Sequence, residues 1–441
     1  MINKSYQSNI TRKQILLLSI PVFFSNLAIP FVGIVDTGLM GNLGQTKFLA
    51  ATSLATSIMT MIIWSFSFLR MGTVGIVSQL YARSDYREIC KTLIRNFLLA
   101  ILISIIVILI KPLILELTNK YFLTSIETQE LMETYISVRL ISMPAELTIY
   151  ILIGFFLGIQ KTNISSLFII ALSVLNIFFS SLFVLTYDLN VFGVALGTLT
   201  ASYITAVLFS IFTYKYIVKR FNITPSFQRL LIFSKIFKLV TINFDIFIRS
   251  VFLTFSFLWI SYLGSRLGED YLAINAILMQ FILLSSFFLD AYAFTTEGVV
   301  GYSIGKRNQK SFLQIVRNSM ELSFITALMI SIIYMIFFKE IINIITDIEL
   351  LRFLSYKHSI WIILIPPVAA FCYQLDGIFV GASQTKELRN GMLLSVATFV
   401  VLSIYLTKYF GNHGLWFSLL LFMLLRSITL RYFFYKILKK F

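Results

Sequence analysis

ILLLSIPVFFSNLAIPFVGIVDTGLMGNL, residues Ile15 to Leu43, is the stretch from which the fold is read. As a helix rising about 1.5 Å per residue it crosses a hydrocarbon core of about 30 Å. It carries Pro21 and Pro30, and a single carboxylate, Asp36, among apolar neighbours. A lone acid in such a span is costly and marks a functional site by default. Burial there disfavours the charged form, so the side chain is suited to holding and releasing a proton. Pro21 lies about four turns earlier, removes a backbone hydrogen bond and permits a bend. The competing reading makes Asp36 a helix-end cap or a structural carboxylate.

The rest of the chain has the same character. Of 441 residues, 58% are hydrophobic and only 13% charged, and the mean hydropathy is +0.88. A soluble domain carries roughly twice that charge. Apolar runs recur along the whole length, which makes the chain an all-α polytopic membrane protein. Twelve spans are expected: Ile15–Leu39, Phe48–Leu80, Leu93–Leu115, Met132–Leu157, Ser165–Tyr187, Val191–Tyr214, Leu239–Leu263, Leu272–Tyr302, Met320–Phe338, Ser355–Val380, Met392–Leu406 and Leu415–Phe434. The segments Lys111–Leu131 and Lys215–Lys238 read as the longest loops.

The net charge of +16 does not point to nucleic acid. Its Lys and Arg residues sit in short loops between spans and form no contiguous basic face. With both termini inside, inner loops hold roughly 24 of them and outer loops roughly 8, which orients the chain in its membrane. Cys90 and Cys372 have no CxxC neighbour, so neither a disulfide nor a metal centre is expected. His358 falls at a helix end and His413 in a loop, both read as polar residues of the membrane edge.

The chain repeats itself. PAELTIYILIGFFLGIQKTN from Pro144 and PVAAFCYQLDGIFVGASQTK from Pro367 align without a gap, matching Pro144, Gly154 and Gly158 to Pro367, Gly377 and Gly381. Six spans separate the copies. Two parallel six-helix lobes related by a pseudo-two-fold along the membrane normal are therefore expected, an architecture of secondary transporters with the substrate cavity between the halves. Residues 1–214 form the first lobe, 215–238 a cytoplasmic linker and 239–441 the second.

Other polar groups stand out in the spans. Asn176 and Ser180 share a face one turn apart. Thr198 lies on the next span, and helix rise places all three with Asp36 in the outer half of the membrane. They form a candidate proton or cation site; the bland reading is helix–helix glue. Asp290 and Glu297 share a face of the eighth span, and Arg249, with Asp245 one turn before it, is the expected partner. Asp376 sits beside Gly377, where local capping or pairing is expected. Arg70 is a further buried-cation candidate, and Arg139 and Glu146 share a face of the fourth span. This network reads equally as structural or as substrate-binding. Met61, Trp64, Tyr135, Met279, Phe287 and Tyr292 are candidate cavity walls for bulky organic cations. More often such aromatics are packed or lipid-facing.

No GxxxxGK[ST] segment occurs, so active transport would draw on an ion gradient. An intramembrane enzyme would need His, Cys or paired acids at cavity depth; both His lie at the edge, so no enzyme is expected.

Four stretches resemble the multidrug and toxic compound extrusion (MATE) transporters, in their DinF-type branch: GIVDTGLMG from Gly33, FLRMGTVGIVSQ from Phe68, Leu272 to Arg307, and QLDGIFVGASQTKELRNGMLLS from Gln374. The resemblance implies an inner-membrane antiporter that exchanges protons, or sodium in some relatives, for drug-like, amphipathic cations. It implies no cofactor beyond the ion gradient, no nucleic acid, and a monomer among membrane lipids. The family's acid falls on Asp36, its kink proline on Pro21, its Asn on Asn176 and its Thr on Thr198. Many relatives carry an Asp where this chain has Ser180, which leaves Asp36 the only acid of the cluster and favours a proton over sodium. A lipid-linked precursor flippase of the same superfamily is the alternative; it would show a strongly cationic cavity.

Overall fold

A computed structural model describes residues 10–121, 125–223 and 232–441. Sixteen helices follow one another: α1 (Arg12–Gly41), α2 (Thr46–Ser65), α3 (Phe68–Ala82), α4 (Tyr86–Leu109), α5 (Lys111–Tyr121), α6 (Ile126–Ile141), α7 (Met143–Gly158), α8 (Thr162–Leu185), α9 (Asn190–Phe221), α10 (Phe233–Leu267), α11 (Glu269–Gly305), α12 (Gln309–Ile345), α13 (Glu349–Lys357), α14 (Ser359–Gly381), α15 (Thr385–Phe433) and α16 (Tyr435–Leu438). Among the described residues no strand occurs.

Among the described residues, ten helical stretches are long and apolar enough to cross a membrane, and the bent pair α6–α7 makes an eleventh. The last stretch is two helices run together across a break at Gly411. That brings the spans to twelve. Gly411 has φ 56° and ψ −138°, a backbone state open to glycine and strained for any other residue.

Several expected spans are interrupted, each for a local reason. Phe48–Leu80 is two helices, α2 and α3, parted at Phe66, whose N–H turns back to the Ile63 carbonyl. Met132–Leu157 is α6 and α7, bent by 49°. Pro144 has no N–H to continue the ladder, and the Ser142 hydroxyl lies 2.6 Å from the Arg139 carbonyl, a local bond that competes with helix. The span expected to run to Leu115 ends at Leu109; Lys111–Tyr121, read as loop, is helix α5, with Pro112 in its first turn. The expected start at Ser355 falls instead in the short α13, and α14 begins at Ser359. Most of the Lys215–Lys238 segment that is described is helical, the ends of α9 and α10; residues 224–231 lie outside the described residues.

The chain forms two compact units. One holds Phe24–Val240. The other joins the residues from Thr241 onward with the start of α1, up to Phe23. Helix α1 thus changes partners two residues after Pro21. Before it, Ser19 donates to Thr295 at 3.1 Å, and the Phe23 and Phe288 rings lie 4.5 Å apart. After it, Ser25 donates to Ser166 at 3.3 Å.

The repeat is visible as packing inside each unit. In the first, α7 lies on α3 so closely that a Cβ on Gly154 would meet the Arg70 carbonyl oxygen at 2.5 Å, and one on Gly158 the Val74 carbonyl oxygen at 3.2 Å. In the second, α14 lies on α11, and Gly377 and Gly381 would meet the Ala293 and Glu297 carbonyl oxygens at 2.6 and 2.4 Å. The shift of 223 residues that carries Gly154 to Gly377 also carries Arg70 to Ala293 and Val74 to Glu297. Small residues let two backbones approach where lipid gives no hydrophobic drive, and both halves use the device at the same place.

Candidate functional site

The unit Phe24–Val240 brings together the four residues expected to form a site. Helices α8 and α9 are closely apposed at Gly197, where a Cβ would stand 2.5 Å from the Ser180 backbone nitrogen. That approach lets Asn176 reach across: its Nδ2 donates to Thr198 Oγ1 at 3.0 Å. Ser180 Oγ donates to Asn176 Oδ1 at 3.3 Å, and Thr198 Oγ1 to its own helix at the Val194 carbonyl, 3.2 Å away. Asp36, from α1, lies beside the Ser180 hydroxyl and in the field of the Arg139 guanidinium. It is 8% exposed, and its Oδ1 is buried without a hydrogen-bond partner. A buried carboxylate oxygen without a donor is costly while ionised and is relieved by a proton.

Around this cluster stand Tyr135, which accepts from Thr56 at 3.1 Å, and the Arg139–Glu146 ion pair, which closes across the α6–α7 bend. The common face expected of Arg139 and Glu146 is therefore a direct contact.

The other unit holds the second network, and two expectations about it are corrected. Arg249 pairs with Asp376 on α14. Asp245, one turn before it, pairs with Arg389 at 2.6 Å and accepts from Thr385 at 3.0 Å. Helical phase ordered these residues on their own helix but could not say which helix each would face. Asp376 does not pair locally: it also takes Arg426 of α15, at 2.6 Å. Asp290 is half-buried and Glu297 buried on α11, each engaged with its surroundings. Arg426, 2% exposed, was missed. Its signal was present, a lone charge in FMLLRSITL, read by the rule that picked out Asp36.

The candidate cavity residues separate by environment. Met61 and Trp64 are exposed, whereas Tyr135 and Tyr292 are buried and bonded to Thr56 and Thr326. Met279 and Phe287 are half-buried, Met279 against the core of its unit. His358 and His413 stack with ring centroids 4.2 Å apart.

The MatE family model matches residues 21–182 and again 246–407, so each half of the repeat is one copy. The chain belongs to the MatE family. It is accordingly a multi-pass membrane transporter and no enzyme. It is 30% identical to the DNA damage-inducible protein F of Escherichia coli (strain K12) over 413 residues, 94% of this chain and 90% of that one. It is 26% identical to the multidrug export protein MepA of Staphylococcus saprophyticus over 196 residues, 44% of this chain and 43% of that one. Among solved structures, it matches an outward-facing MATE family transporter with a TM-score of 0.88 at 16% identity, over 98% of this chain and 97% of that one. That match shows the fold.

Proposed function

We propose that this MatE protein is a proton-coupled exporter of bulky organic cations. Outside protons reach Asp36, helix α1 bends at Pro21, and the substrate is expelled; release of the proton on the inner side resets the cycle. What supports the reading above all is Asp36 Oδ1, a buried carboxylate oxygen without a hydrogen-bond donor. The change of partners along α1 just after Pro21 supplies the element for the bend to move. The name of the MepA relative, a multidrug export protein, supports export of drug-like compounds.

Sodium fits less well. A hard cation needs several oxygens with excess negative charge. The Asp36 cluster has one carboxylate with a guanidinium in its field, and Asp376 already faces two guanidiniums. A flippase for an anionic lipid precursor is less favoured, because Arg95 and Arg139 are each paired with a carboxylate, Glu88 and Glu146. We place both termini on the cytoplasmic side, on the distribution of loop charges; a monomer in a bacterial inner membrane is the expectation that goes with the family resemblance. The expected lobes, 1–214 and 239–441 about a linker at 215–238, are shifted by the compact units, which give the start of α1 up to Phe23 to the second half and run the first from Phe24 to Val240.

The test is ethidium efflux from proteoliposomes under an imposed proton gradient and, separately, an imposed sodium gradient. The reading predicts efflux with protons alone. Efflux driven by sodium at clamped pH contradicts it.

A further inference from the structure

Arg12 and Arg317 share one carboxylate. Arg12 Nη2 donates to Glu321 Oε2, and Arg317 Nε donates to Glu321 Oε1 at 2.9 Å. Beside them opens a cavity of about 520 Å³, lined by Arg12 of α1 and by Leu313, Gln314, Arg317 and Asn318 of α12. All of these residues belong to one compact unit. The two helices are tied there: the buried Asn318 donates from Nδ2 to the Ile10 carbonyl at 3.0 Å.

The charge around the cavity is unbalanced. Two exposed guanidiniums face a single carboxylate. Each commits one nitrogen to it and keeps N–H donors that no described residue takes up. Lys310, one turn before Gln314 on the same face, is exposed as well. The nine residues ahead of Ile10 include Lys4 but no Asp or Glu, so they bring no anion of their own.

The cavity stands at the membrane edge. Arg12 lies just ahead of the first expected span, and residues 313–318 just ahead of the ninth. From there each helix enters the membrane with an exposed apolar face. On α1, Leu16 and Ile20 follow Arg12 at steps of one turn; on α12, Ile325 and Leu328 continue the face of Arg317 and Glu321. From Arg12 to Ile20 the helix rises about 12 Å, a wall for the first part of an acyl chain. Guanidiniums pair with phosphate through charge-assisted bonds, and basic pockets between transmembrane helices take anionic headgroups. A soluble phosphate would leave the apolar faces unused.

We propose that this cavity binds an anionic phospholipid, its phosphate between Arg12 and Arg317 and its acyl chains along α1 and α12. Glu321 acts against the ligand, because it occupies both guanidiniums. Bound there, the lipid adds a second tie between α12 and the segment of α1 that precedes Pro21. The proposal does not depend on which ion Asp36 exchanges.

The experiment is native mass spectrometry of the purified full chain in detergent, titrated with dioleoylphosphatidylglycerol, dioleoylphosphatidylcholine or glycerol 3-phosphate. Wild type should bind the first phosphatidylglycerol more tightly than phosphatidylcholine. The double variant Arg12→Gln, Arg317→Gln should lose about tenfold or more of that affinity. Glu321→Gln should gain roughly two- to fivefold, the worth of the exposed ion pairs it removes. Arg83→Gln, which removes an exposed charge from the unit Phe24–Val240, should bind as wild type. Equal affinity for the two lipids, an unaffected double variant, or an equal loss in Arg83→Gln overturns the proposal. So does glycerol 3-phosphate bound as tightly as the lipid, which would assign the cavity to a soluble phosphate. If the double variant fails to fold, Glu321→Gln decides alone: it breaks the same ion pairs, so a merely structural cluster would bind lipid no better, whereas the proposal requires tighter binding.

Discussion

Asn176 Nδ2 donates to Thr198 Oγ1 across the α8–α9 contact, at 3.0 Å. The bond fixes which way the amide points: with Nδ2 committed to Thr198, Oδ1 is turned to Ser180. The Ser180 hydroxyl beside Asp36 is therefore ordered from behind, through Asn176 and Thr198. Thr198→Val keeps the shape and removes the acceptor. A net hydrogen bond contributes about 0.5–1.5 kcal/mol, so proton-driven efflux should fall roughly two- to tenfold, and Thr198→Ser should restore it. Rates of ethidium efflux at equal protein in the membrane check this; a Val variant at wild-type rate removes Thr198 from the site.

The Arg249–Asp376–Arg426 cluster makes an asymmetric prediction. Asp376→Asn leaves two buried guanidiniums facing one another without their shared countercharge. Arg426→Leu leaves one complete ion pair, Arg249 with Asp376. Breaking a buried pair by removing one partner costs about 3–5 kcal/mol. The Asn variant should lose most of its folded yield in detergent-solubilised size-exclusion profiles, and the Leu variant visibly less. Equal loss in both would mean that the two guanidiniums are not sharing one carboxylate.

His358 joins α13 to α14, outside the spans. Burial pushes its imidazole below the ordinary range, assisted by His413 and Lys357. Its Nδ1 lies 2.7 Å from the Leu354 carbonyl, which takes the proton of a neutral ring. A depressed folded value means that the unfolded chain binds the proton first. His358 therefore opposes stability only as pH falls below about 6.5, the unfolded histidine value, and contributes no pH dependence above it. Thermal unfolding at pH 7.5 and pH 5.5 should show a drop in Tm that His358→Gln reduces. An undiminished drop would assign the acid sensitivity elsewhere.

Much of this was legible in the chain before its structure. Hydropathy carries the spans because lipid leaves helices little alternative, and Gly154 and Gly158 announced the repeat because close backbone approach admits almost nothing else. Asp36, Asn176, Ser180 and Thr198 were found together because depth along two helices is counted from residue numbers. Partners across helices were not legible in that way. Arg249 turned to Asp376 and Asp245 to Arg389 because a helix shows its own phase, while its neighbours are chosen by packing of the whole unit. The bend at Ser142 depends on Pro144 acting together with a side-chain bond to the Arg139 carbonyl, and only the proline is visible as a pattern.

The central claim is that Asp36 carries the proton that is exchanged for substrate. Its most direct measurement is proton counter-movement in proteoliposomes: an inward ethidium gradient is imposed without any pH gradient, and a trapped pH dye reports the lumen. Wild type should drive protons out against no gradient of their own, and Asp36→Asn, at equal protein in the membrane, should move none. Proton movement by Asp36→Asn at the wild-type rate would contradict the account.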